Sequence, residues 1–227
     1  MKTKPFELLR QRMAWMREDP FLWVDIETTG LDAYAPYARI LEIGLAVTDH
    51  NLVLGDSIVV MVGPAPVDAE VELWDPFVQK MHTENGLIRD LRDAGRQYKL
   101  MDADTVAFQL ADWVKSRFGD TKPIIAGASI RLDRAFGELF MPALFSRFHY
   151  RQADVSALRE FCQRWLPGCS DQEINAVCGK RDIHRPMADL VDSIALASFL
   201  KGRMQRGVGD GSTDLGEFNI SDPFPGS

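Results

Sequence analysis

The stretch Trp23-Val24-Asp25-Ile26-Glu27-Thr28-Thr29-Gly30-Leu31 predicts the end of a buried strand that carries two acids into a tight turn. The apolar run Phe21 to Val24 opens the strand. In a strand, residues i and i+2 point to the same face, so Asp25 and Glu27 sit side by side. Two neighbouring carboxylates repel each other unless a cation lies between them. Hard divalent cations take oxygen ligands of this kind, and the strand ends of α/β sheets are where ligands bind. Gly30 permits the turn beside them. Taken alone, the pair also fits a strand end with two solvated acids.

Outward from this stretch, Arg39 to Thr48 and Leu52 to Val62 predict two more strands, joined by the turn Asp49-His50-Asn51. Apolar spacing then predicts helices over 70–81, 84–92 and 102–118, a short strand at Ile124 to Ala126 and a helix over 132–140. A strand at Tyr150 to Ala153 and helices over 156–165 and 187–202 follow. Three strands followed by strands alternating with helices imply an α/β fold with a sheet of mixed direction. Residues 5–17 have near-helical apolar spacing behind Pro5 and predict a helical extension, 1–19. From Met204 the chain is glycine-rich, with one arginine against Asp210, Asp214, Glu217 and Asp222. That composition predicts a disordered acidic tail, 204–227.

The chain has 227 residues and a formal charge of −7, with 46% hydrophobic and 26% charged residues. This is an ordinary globular composition. Such an acidic chain has no broad basic surface for long nucleic acid. Three cysteines, Cys162, Cys169 and Cys178, make no disulfide framework, and idle thiols suit a reducing cytoplasm. The N-terminus lacks the apolar stretch of a secretory signal. No apolar run reaches the roughly 18 residues of a membrane span.

Two further pieces carry chemistry. Ile124 to Asp133 reads as a strand, a small-residue turn and a helix start, with Asp133 in the first turn. By itself such an acid reads as one favoured by the helix dipole. In His184-Arg185-Pro186-Met187-Ala188-Asp189, positions i and i+5 lie about 140° apart on a helix. Pro186 suits the first helical position, which leaves His184 on the preceding loop and Asp189 in the first turn. A loop histidine can then lean over a metal-binding acid and serve as general base near neutrality.

The ordered set D-x-E, a distant Asp, then H-x-x-x-x-D resembles the DEDDh 3′–5′ exonucleases of the ribonuclease H-like superfamily. Within them the chain is similar to the oligoribonucleases. The resemblance covers roughly residues 20–202, within a domain expected over 20–203. It extends to Met81-His82-Thr83-Glu84-Asn85-Gly86-Leu87, to Gly127-Ala128-Ser129-Ile130 with Asp133, and to His149-Tyr150-Arg151 with Asp154-Val155-Ser156. It implies a ribonuclease H-like mixed five-stranded sheet flanked by helices. It implies that Asp25, Glu27, Asp133 and Asp189 hold two divalent cations, Mg²⁺ or Mn²⁺, and that His184 activates water. Leu31 matches the residue on which the terminal base rests. Ser129, Arg151 and Ser156 match a cap for the 5′ phosphate of a short RNA, and Tyr150 matches a tyrosine contributed across a homodimer. Arginine suits phosphate because its fork donates two parallel hydrogen bonds.

The resemblance is incomplete at three places. Thr28 stands where oligoribonucleases usually have Met, a form closer to DNA-proofreading enzymes. Ala128 stands where Asn is usual. Trp74 lies farther from His82 than the family's substrate tryptophan lies from its histidine, and it reads equally well as core. The expected activity is 3′–5′ hydrolysis of short single-stranded RNA to nucleoside 5′-monophosphates. A single-stranded DNA exonuclease is the alternative. A non-catalytic adaptor is disfavoured because all five catalytic positions are filled.

Overall fold

A computed structural model describes residues 20–63, 70–97, 99–179 and 183–209. The expected N-terminal helix and the tail beyond Gly209 lie outside the described residues. The five strands are β1 (Phe21–Thr28), β2 (Ile40–Thr48), β3 (Leu54–Met61), β4 (Ile125–Gly127) and β5 (Gln152–Asp154). They form one sheet in the order β3-β2-β1-β4-β5. The β1–β2 and β2–β3 pairs are antiparallel; β1–β4 and β4–β5 are parallel. This is the mixed sheet expected from the sequence.

Eight α-helices lie among the described residues: α1 (Pro76–Glu84), α2 (Leu87–Arg96), α3 (Ala103–Phe118), α4 (Arg131–Phe140), α5 (Pro142–Phe145), α6 (Val155–Trp165), α7 (Asp171–Cys178) and α8 (Pro186–Gly209). The alternation of β1 divides the core. Leu22, Val24 and Ile26 pack on one face against Val106 and Leu110 of α3, Phe136 of α4 and Phe145 of α5. Trp23 points to the other face, with Cys162 of α6 and Leu190 and Ile194 of α8. Asp25 and Glu27 share Trp23's face. The strand therefore buries its first half under α6 and α8 and presents its acids where that helical cover ends.

Three expectations need correction. The helix expected over 70–81 is a 3₁₀ turn, Val71–Leu73, and then α1. Asp75 caps the N–H groups of Phe77 and Val78, and Pro76 takes the first helical position; proline cannot continue a helix through from its N-terminal side. The helix expected over 84–92 begins at Leu87, because Gly86 at φ +81° breaks the chain after α1. The last helix continues to Gly209, so the segment expected to be disordered from Met204 begins as helix. A glycine inside an established helix costs only about 1 kcal/mol, and elongation is easier than nucleation.

Gly44 decides how closely α8 approaches the sheet. It pairs with Asp25 across β1–β2. A Cβ there would come within 2.7 Å of Pro186 Cβ and 3.0 Å of Leu190 Cδ1. Glycine at 44 thus lets the first turn of α8 settle beside Asp25. Gly44→Ala is expected to cost about 1–3 kcal/mol by overpacking and to weaken divalent-cation binding. Thermal melts and a metal titration check this; wild-type values in both would mean that α8 does not depend on this close approach.

Candidate active site

The site lies at the C-terminal half of β1. Single ligand oxygens of Asp25, Glu27 and Asp189 all lie within 4.8 Å of one another. Asp25 and Glu27 come from β1, and Asp189 from the first turn of α8. Asp133, in the first turn of α4, stands beside this trio. Its Oδ1 accepts a hydrogen bond from the backbone N–H of Ile26 at 2.8 Å. β4 pairs with β1 only at Leu22 and Trp23, so Asp133 supplies the partner that Ile26 lacks from that strand. Asp133 is thus an acid of a first helical turn, as its position in the sequence implied, and also a buried acid tied to β1.

The four acids, His184, Ser129 and Ser156 line one cleft of about 500 Å³. His184 precedes α8, as Pro186 at its first position implies. Burial pushes the Asp25 carboxyl well above its ordinary range, and the charges of Asp133, Glu27 and Asp189 add to it. Burial, then Asp189 and Glu42, raises Glu27 to about 8, against a smaller lowering by Arg185. Burial raises Asp133 to about 7, although the Ile26 N–H opposes the shift. Acids held this close against their own repulsion fit a hard cation bound by oxygen.

The other expected residues are dispersed. The Ser129 and Ser156 hydroxyls are 3.2 Å apart. Asp154 joins the two segments by accepting from the backbone N–H of both residues, a role the sequence did not announce. Leu31 is 71% exposed and lines a separate groove of about 510 Å³ with Gly30, Tyr37 and Trp74. Trp74 itself is buried among Leu41, Val71, Leu87, Ile88 and Leu91, so its ring is core. Phe77, in the first turn of α1, is exposed. The Asp75 N–H donates to the Thr29 carbonyl and keeps the two segments together. Tyr150 and Arg151 are exposed and lie outside the lining of the acid cleft; Arg151 Nε donates to the Tyr150 hydroxyl at 3.1 Å.

His82 and Asn85 were visible only as part of a resemblance. His82 is fully buried, and its Nε2–H donates to the Thr28 carbonyl at 3.0 Å. Burial lowers its pKa. It fixes the end of β1, with Nε2 3.8 Å from Glu27 Oε2. The Asn85 side-chain amide donates to the His184 carbonyl.

Residues 22–197 match the family model described as Exonuclease (RNase_T). The chain belongs to that exonuclease family. An oligoribonuclease of Sodalis glossinidius is 35% identical to it over 187 residues, 82% of this chain and 96% of the relative. The oligoribonuclease of Mycobacterium avium is 34% identical over 186 residues, 81% of this chain and 80% of the relative. Among solved structures, E. coli exonuclease I in complex with a dT13 oligonucleotide superposes with a TM-score of 0.55 at 20% identity. That likeness covers 83% of this exonuclease-family chain and 41% of the longer one, and it bears on the fold. Among the described residues no helix is long and apolar enough to cross a membrane.

Proposed function

We propose that this chain is a 3′–5′ exoribonuclease that hydrolyses short single-stranded RNA to nucleoside 5′-monophosphates. The observation that carries the reading is the convergence of four acids and one histidine in a single cleft. Similarity to oligoribonucleases over about four-fifths of the chain supports it.

Asp25, Glu27 and Asp189 would hold divalent cations, Mg²⁺ or Mn²⁺, with Asp133 as the fourth acid. When bound, two such ions supply charge stabilisation for an in-line phosphoryl displacement. The residues of the chain do the rest. His184 takes the proton of the attacking water. Leu31 offers an apolar surface to the terminal base. Ser129 and Ser156 present hydroxyls of the cleft lining to the 5′ phosphate. Tyr150 and Arg151 stand exposed outside the cleft, which suits residues that complete the site of a second copy in a homodimer. Three unpaired cysteines suit a cytoplasmic setting.

The DNA alternative drew on Ala128 and on Thr28. Its hydroxyl donates to the Gly30 carbonyl at 2.7 Å and the residue is buried, so the hydroxyl serves the turn. Substrate length decides between the readings. Dinucleotide and 20-mer RNA and DNA, each with a 5′ phosphate, are the substrates to compare. We expect the highest kcat/KM on the RNA dinucleotide, and a preference for 20-mer DNA would reject the proposal. Arg151→Ala should lower kcat/KM on the dinucleotide at least about tenfold, the scale of a lost charge-assisted hydrogen bond. It should spare the 20-mer; equal losses at both lengths would reject the cap.

A further inference from the structure

Behind the cleft lies a group of ion pairs that the proposed reaction does not use. Arg185 follows His184 directly. Its Nε and Nη2 donate to the two carboxylate oxygens of Glu42 at 2.8 and 2.9 Å. Its Nη1 donates to Asp90 Oδ2 at 2.8 Å. The Glu42 side chain is only 4% exposed and the Arg185 side chain 25%. One guanidinium therefore joins β2, α2 and the start of α8.

The neighbouring residue is held as well. The His184 carbonyl accepts from the Asn85 amide, and Asn85 Oδ1 accepts from the N–H of Leu87 at the start of α2. Asp90 stands one turn further along that helix. His184 has φ +49°, a left-handed conformation that non-glycine residues keep only where the surroundings over-determine it. Here Asn85 grips its carbonyl, Arg185 anchors the next residue twice, and Pro186 is buried against β2.

We infer that Arg185 is a positioning residue: its double grip on Glu42 and Asp90 fixes the backbone corner from which His184 is aimed into the cleft. The inference rests on the proposed role of His184 as base. A planar fork that satisfies two carboxylates at once holds direction as well as charge. A lysine in its place keeps the charge and loses the fork. Small misplacement of a reacting group is costly in rate, on the order of 10²-fold for about 1 Å.

The test is a double-mutant cycle on a short RNA at saturating Mn²⁺. Arg185→Gln and Arg185→Lys are each made in the wild-type and His184→Ala backgrounds, with kcat, KM, Mn²⁺ affinity and melting temperature measured. Arg185→Gln should lower kcat about 10–100-fold in the wild-type background, with KM at saturating Mn²⁺ within about threefold. In the His184→Ala background it should change the residual kcat less than about twofold, because no base remains to aim. Arg185→Lys should fall between. The same fractional loss in both backgrounds, or a loss confined to KM, would overturn the inference. Should Arg185→Gln not fold, the Arg185→Lys pair decides by the same comparison. Wild-type turnover in His184→Ala alone would instead overturn the base assignment, and the two failures are distinct.

Discussion

Asp25→Asn is expected to lower metal-dependent hydrolysis at least about 10³-fold, the rate equivalent of several kcal/mol of charge stabilisation by a bound divalent ion. The same substitution should stabilise the metal-free protein. Asp25 and Glu27 are pushed above the ordinary carboxylate range by burial and by their neighbours' charges, Glu27 to about 8. Asp133 is raised by burial to about 7. Between the unfolded carboxylate range near 4 and about 8, the folded chain holds more protons than the unfolded chain. Metal-free stability must then fall as pH rises through that window. Removing one charge from the group relaxes the repulsion. Melting temperatures from pH 5.5 to 8.5 without metal should fall less in Asp25→Asn than in the wild type. Added Mn²⁺ should raise the wild-type melting temperature most at pH 8.5 and the variant's far less, since a ligand that binds the folded state stabilises it. Parallel pH slopes together with retained turnover would remove Asp25 from the site.

The acids were legible because each lies where a local rule puts it. Asp25 and Glu27 follow from strand alternation, Asp189 from a proline at the first helical position, and Asp133 from a first helical turn. The sheet was legible for the same reason: β1 and β2 are long apolar runs with short turn signals. Two helices were not. α5 has four residues, too few for a period to show. In α7 only Ile174 is buried, so no apolar stripe marks it. Its start was written as the capping box of Ser170 and Glu173, a signal that needs no stripe.

The second layer of the site depends on contacts between residues far apart in the chain. Arg185 and Glu42 are 143 residues apart, and no local pattern links them. Gly44 looks like a weak point in a strand until α8 is seen against it. Trp74 and Phe77 take opposite environments because Asp75-Pro76 restarts the helix between them. The tryptophan falls to the core side, and the phenylalanine faces solvent.

His184→Ala should lower turnover about 10²–10⁴-fold, the span of a lost general base, while divalent-cation affinity stays near wild type. The argument is geometric. The trio that lies within 4.8 Å is made of Asp25, Glu27 and Asp189, so deleting the imidazole removes none of these ligands. His184 lines the same cleft from the loop before α8. A solvent base at high concentration should recover part of the variant's rate and leave the wild type unchanged, because only the variant lacks a resident proton acceptor. If metal affinity and turnover fell together, His184 would belong with the ligands. If neither changed, another group would have to take the proton.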